Sequence, residues 1–154
     1  MRNQMSRRAG FTLIEILIVI AMLAILMSVG YASFAKMRSK LGLEESANKI
    51  AQDIQKCRSY ATAKTLRCRI TFTGGNSYTV ATSNNGSNWR QLYTANIASD
   101  VSSSWAAGDT IIFNSKGFAT FPTSPSPYVI TLTKGNDTYL IVPSMVGAVR
   151  MVKP

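Results

Sequence analysis

The chain of 154 residues contains no histidine and only seven carboxylates. Histidine is the commonest general base, and Asp100, Asp109 and Asp137 are scattered acids with no second acid close by in sequence. No glycine-rich phosphate loop follows a strand pattern. Together these absences remove the acid–base constellations an enzyme needs, so no catalytic residue is expected. Two cysteines without a histidine do not supply a four-ligand set, so neither a metal nor a cofactor is expected. Seventeen lysines and arginines outnumber the acids and give a formal charge of +10. That balance favours anionic partners without specifying a fold. The basic residues are spread along the sequence, which reads as a solvated surface.

What the chain does have begins at residue 10. Gly10-Phe11-Thr12-Leu13-Ile14-Glu15 opens an apolar run that continues to about Ala35 and holds a single charge, Glu15. A carboxylate inside hydrocarbon costs ~2.5–3.5 kcal/mol on insertion scales, so it marks function and needs a partner. Before the run lie Arg2, Arg7 and Arg8 and no acid. An ordinary secretory signal is cut after its apolar core. Here the polar-to-apolar boundary precedes the core, and Gly10 sits on it. Cutting there keeps the apolar helix on the mature protein and lowers the charge to 10 − 3 = +7.

Met1–Gly10 followed by Phe11-Thr12-Leu13-Ile14-Glu15-Ile16-Leu17-Ile18-Val19-Ile20 resembles the class III signal of type IV prepilins and type II secretion pseudopilins. The resemblance implies that a prepilin peptidase/N-methyltransferase cuts after Gly10 and methylates the new amine on Phe11. It makes Glu15 the assembly residue. In a stack of such helices the Glu15 carboxylate can pair with the N-terminal amine of the next subunit. A plain signal anchor that tolerates a glutamate is the competing reading. Lys36, Arg38 and Lys40 follow the run closely, so charge bias alone does not orient it. The resemblance requires a cytoplasmic leader. It therefore implies a single-pass inner-membrane protein with a periplasmic head, held in lipid before entering a pilus or pseudopilus among other pilin or pseudopilin subunits.

Met37 to Lys64 contains no proline, and Leu43, Ala47, Ile50, Ile54, Cys57 and Ala61 recur at spacings of four and three. That is one face of an amphipathic helix. The other face reads Lys40, Glu44, Glu45, Lys49, Asp53, Lys56 and Arg58, with Glu45–Lys49 as a favourable i,i+4 pair. One helix from about Thr12 to Lys64 is expected, weakest at Gly30 and Gly42. Beyond it, Arg67–Thr73 and Ser77–Thr82 alternate around Gly74-Gly75-Asn76, a hairpin pattern. Further strands are expected near Trp89–Tyr93, Thr110–Asn114, Phe118–Phe121, Tyr128–Lys134, Thr138–Val142 and Ala148–Val152. The proline-rich Pro122–Pro127 is one of the separators.

The expected fold is α+β and pilin-like: a long N-terminal helix, half transmembrane and half amphipathic, packed on a C-terminal antiparallel sheet. The divisions are a cleaved leader (1–10), a transmembrane or fibre-core helix (11–35) and a periplasmic head (36–154), itself an amphipathic helix (37–64) and a β-rich part (66–154). The head resembles the GspH/FimT group of minor pseudopilins and minor pilins in Asp53-Ile54-Gln55-Lys56-Cys57-Arg58-Ser59-Tyr60-Ala61, in Ile111-Ile112-Phe113-Asn114-Ser115-Lys116-Gly117 and in Gly147-Ala148-Val149-Arg150-Met151-Val152. A structural minor subunit follows from this resemblance.

Cys57 lies on the apolar helix face and Cys68 shares a strand face with Ile70 and Phe72. A disulfide is permitted outside the cytoplasm, and two buried free thiols are the alternative. A second function, DNA binding, is implied by a resemblance and is compatible with the net positive charge, since phosphate contacts need charge rather than a motif. Some FimT-type minor pilins bind DNA, in uptake, through a C-terminal Gly-Arg-x-Arg stretch. Here Gly147 and Arg150 match, Ala148 replaces the first arginine, and Lys153 follows. Arg150 and Lys153 are therefore the candidate DNA-binding residues, against the alternative that they solvate the last strand.

Overall fold

A computed structural model of the chain describes residues 12–74, 76–121 and 128–154, with the side chains of all of these except 29–36 and 38–40. The leader, Gly10, Phe11 and the Pro122–Pro127 separator fall outside the described residues. Helix α1 runs Leu13–Lys64 and passes through both Gly30 and Gly42 without a break. The chain divides into two compact units, residues 1–38 and 39–154.

In the first unit the described side chains of α1 are exposed. Leu13 is 78 % accessible and Leu26 69 %. Among the described residues no helix is long and apolar enough to cross a membrane.

The second unit is the head. Leu43, Ala47, Ile50, Ile54, Cys57 and Ala61 are all buried, which is the face that the four-three spacing selects. Among the described residues nine strands follow: β1 (Arg67–Gly74), β2 (Ser77–Ser83), β3 (Arg90–Asn96), β4 (Ser102–Ser103), β5 (Thr110–Phe113), β6 (Ala119–Thr120), β7 (Ile130–Lys134), β8 (Asp137–Pro143) and β9 (Val149–Val152). They form two antiparallel sheets where one was expected. The first has the order β3-β2-β1-β5-β6 and the second β4-β7-β8-β9. The β1–β2 hairpin pairs Cys68 with Thr82 and Ile70 with Val80, so Cys68, Ile70 and Phe72 all turn inward and are buried. The second sheet adds Ile130, Leu132 and Ile141 to the same core.

Two polar side chains, Ser46 and Lys49, fix the start of the head. Ser46 Oγ donates to the Gly42 carbonyl at 2.8 Å and accepts the Ala98 N–H at 3.2 Å. Lys49 Nζ donates to the Asn96 carbonyl at 3.2 Å. Lys49 thus serves the last residue of β3 rather than the Glu45 partner its spacing suggests.

Candidate functional site

At the N-terminal end of α1, Thr12 is the capping residue. Its carbonyl accepts the N–H groups of Glu15 at 3.1 Å and Ile16 at 3.3 Å, and its Oγ1 also accepts the Glu15 N–H at 3.3 Å. Glu15 therefore occupies the third helical position, exposed, where a carboxylate complements the positive end of the helix. The Thr-x-x-Glu spacing is the sequence signature of such a cap. It gives Thr12 a role that the apolar pattern alone did not reveal.

Inside the head the helical wheel misplaces one residue. Asp53, expected on the solvated face, is 3 % exposed. Tyr78 on β2 donates its hydroxyl to Asp53 Oδ2 at 2.7 Å, and Lys56 Nζ meets Oδ1 at 3.2 Å. Burial holds the Tyr78 hydroxyl far above its ordinary range, and the hydrogen bond to Asp53 raises it further. Tyr93 on neighbouring β3 is pushed up to about 12, first by burial and then by Asp53. The cluster keeps two phenols protonated against one carboxylate and contains no nucleophile, so it works as a polar strut between helix and sheet.

Cys57 and Cys68 are joined by a disulfide, with Cα atoms 5.5 Å apart. The bond ties the helix to the first residues of β1. Its flank, with Tyr60, Ala63, Val80, Leu92 and Tyr93, lines an open apolar recess of about 510 Å³.

Arg150 pairs with Val142 and Met151 with Ile141 across β8–β9. β9 ends at Val152, and Lys153 follows it. Lys153 lies beside the helix, 3.9 Å from Asp137 Oδ1 and over the Tyr139 ring at 5.8 Å. Gly147 has a structural reason of its own: its φ is +76°, and a Cβ there would overlap Arg58 Cδ. The glycine shared with the DNA-binding stretch is thus required by a turn and by the close approach of Arg58.

Comparison with known proteins agrees with this architecture. The model of the type II transport protein GspH matches residues 46–147, well over half the chain. The chain belongs to the GspH family. Upstream, residues 5–31 match the prokaryotic N-terminal methylation motif. Two crystal structures of the type IV minor pilin FimU of Pseudomonas aeruginosa strain PAO1, in space groups P21 and P65, share the fold. Their TM-scores are 0.58 and 0.55 at 14 % and 15 % identity, covering 75 % and 73 % of this chain and 94 % and 97 % of FimU. No curated protein matches significantly. As a GspH-family member with a pilin-like fold, the chain is a structural subunit and not an enzyme.

Proposed function

We propose that this GspH-family chain is a minor pilin or pseudopilin, processed by prepilin peptidase and built into a type IV pilus or type II secretion pseudopilus. The carrying observation is the union, in one chain, of a methylation motif over residues 5–31 and a GspH head over residues 46–147. Residues 1–10 are the cleaved leader. Residues 11–35 anchor the subunit in the inner membrane and later enter the fibre core. The head, from residue 36, lies in the periplasm. Supporting this is the exposed apolar surface of α1 from Leu13 to Met27, which needs lipid or neighbouring helices to cover it.

Glu15 is the assembly residue. Cleavage at Gly10 creates an ammonium on Phe11 four residues before it. An uncompensated carboxylate in lipid is costly, and a neighbouring subunit's amine relieves it. Mass spectrometry of the membrane-extracted protein tests the reading. The expected mature N-terminus is Phe11 with a methylated amine. An intact leader, or a cut after Ala35, overturns it.

A further inference from the structure

Along β3 the first sheet ends before it has covered α1. β3 and β6 are the edges of that sheet, and β4 and β9 those of the second. β4 and β6 are two residues long and β9 four, whereas β3 runs for seven. An edge strand presents a row of unpaired backbone N–H and C=O groups. Among the described residues no backbone pairs with the outer side of β3. Beside this edge lies the apolar recess of about 510 Å³, walled by Tyr60 and Ala63 of α1 and by Val80, Leu92 and Tyr93 of the sheet. Strand alternation alone would send Leu92 and Tyr93 to opposite faces. Between the Val80–Tyr93 and Ala81–Gln91 pairs the register slips, which leaves Leu92 as an extra residue. A bulge of this kind re-aims a side chain, and both residues line the recess.

The charges around this edge are one-sided. Lys56 borders the apolar recess, and Arg90, which opens β3, lines a second recess of about 440 Å³ that shares Tyr60 with the first. The second recess is polar, with Ser83, Asn85 and Asn88 in its wall. A Cβ on Gly86, in the turn beside it, would overlap Arg67, so another guanidinium stands close by. Among the described residues no acid lines either recess. Asp53 is buried, and its two oxygens are already answered by Tyr78 and Lys56. Glu45 belongs to the other end of β3, in a recess it shares with Lys49 and Asn96. None of the ion pairs among the described residues uses Arg90.

We propose that the β3 edge takes up an extended, acidic segment of a partner protein as an added strand. Main-chain hydrogen bonds to β3 supply the pairing, as strand addition requires. Alternate side chains of the segment point inward, where an apolar one enters the recess against Tyr60 and Ala63. An acid on the same segment meets Arg90. Three features select this occupant. A free strand edge is matched by polypeptide backbone and not by a lipid or a nucleic acid. The recess calls for an apolar side chain. Arg90, unanswered within the head, calls for a carboxylate. A second copy supplies none, since the edge strands β3, β4, β6 and β9 contain no acid. The site belongs to the head alone and does not depend on processing or assembly.

The test is binding of a dye-labelled peptide of seven residues, the length of β3, to the full-length chain held in nanodiscs of neutral lipid. The probe alternates leucine and threonine and carries glutamate at both ends, so that one acid meets Arg90 in either strand direction. Fluorescence anisotropy should show saturable binding. N-methylation of alternate peptide nitrogens keeps every side chain and removes one row of donors. Methylating the row that faces β3 should abolish binding, and methylating the other row should not. Equal binding of the two methylated forms overturns strand addition, and this comparison needs no protein variant. Replacing both glutamates with lysine should weaken binding about tenfold, the scale of reversing one charge pair at a rim. Arg90→Glu, at an exposed position, should invert that preference. An unchanged preference in a variant that melts like wild type overturns the proposal. So does the absence of saturable binding, which leaves the mature N-terminus and the subunit reading untouched. Dimers of the chain that the probe dissolves would assign the edge to a second copy, and the proposal would be wrong.

Discussion

Tyr78 reaches from β2 across the head interior to donate a 2.7 Å hydrogen bond to Asp53 on the facing helix. This one bond accounts for a carboxylate in the core: half of Asp53 is answered by a phenol and half by Lys56, whose own side chain stays in water. A buried acid is tolerable when each oxygen has a donor.

Tyr78→Phe removes one donor and leaves a buried oxygen unsatisfied, at a cost of ~1–3 kcal/mol. The pH dependence has a defined sign. The folded state keeps the Tyr78 and Tyr93 protons above the ordinary tyrosine value of about 10, whereas the unfolded chain releases them there. The folded state then binds more protons, so this part of the stability is complete below pH ~10 and declines as pH rises toward the titration of Tyr93 at about 12. Urea midpoints of wild type and Tyr78→Phe between pH 9 and 12 should show a flatter decline for the variant. Parallel curves would refute the assignment.

The fold was legible in the sequence where one local period decided it. The four-three spacing picked out the buried helix face, and alternation around Gly74-Gly75-Asn76 found the first hairpin. Asp53 was misread because its wheel position sits between the two faces, and its partner Tyr78 lies twenty-five residues further on. No local pattern encodes such a pairing. The division into two sheets was invisible for a similar reason. β4 is only Ser102–Ser103, residues with little preference for strand, and its pairing to β7 is long-range. The place of Glu15 in the first turn of α1 was legible because the apolar run opens just before it.

The Cys57–Cys68 bond closes a short loop between helix and sheet. Loop-closure entropy assigns such a bond ~3 kcal/mol, equivalent to roughly 10 °C in melting temperature for a head of this size. Replacing both cysteines with serine should lower the melting temperature by about that amount, and adding reductant to the double variant should change nothing further. A melting temperature insensitive to both treatments would show that packing alone holds this corner.

Gly147 and Arg58 should be coupled. Gly147→Ala places a side chain at φ +76° and against Arg58 Cδ, with an expected loss of ~1–3 kcal/mol from backbone strain and overlap. Arg58→Ala removes the overlap but not the strain. The double variant should therefore be less destabilised than the sum of the singles, by at least ~0.5 kcal/mol in a denaturation cycle. Strict additivity would free Gly147 from this structural explanation and reopen its place in a ligand-binding stretch.

Glu15→Ala separates membrane residence from assembly. On the proposed reading, the carboxylate is a liability in lipid and an asset in the fibre. Its removal eases insertion by up to ~3 kcal/mol, yet deletes the partner of a neighbouring Phe11 amine. The Thr12 cap complicates the variant only slightly, since the Thr12 carbonyl and Oγ1 bond the backbone N–H of residue 15, which alanine retains. The variant should therefore fractionate with membranes at wild-type levels or above, carry the same processed N-terminus, and lose against wild type when the two are co-expressed and sheared fibres are counted. Glu15→Asp, which keeps the charge on a shorter stem, should recover part of the loss. Equal recovery of Glu15→Ala and wild type from fibres would show that the carboxylate takes no part in assembly, and the exposed charge on α1 would need another explanation.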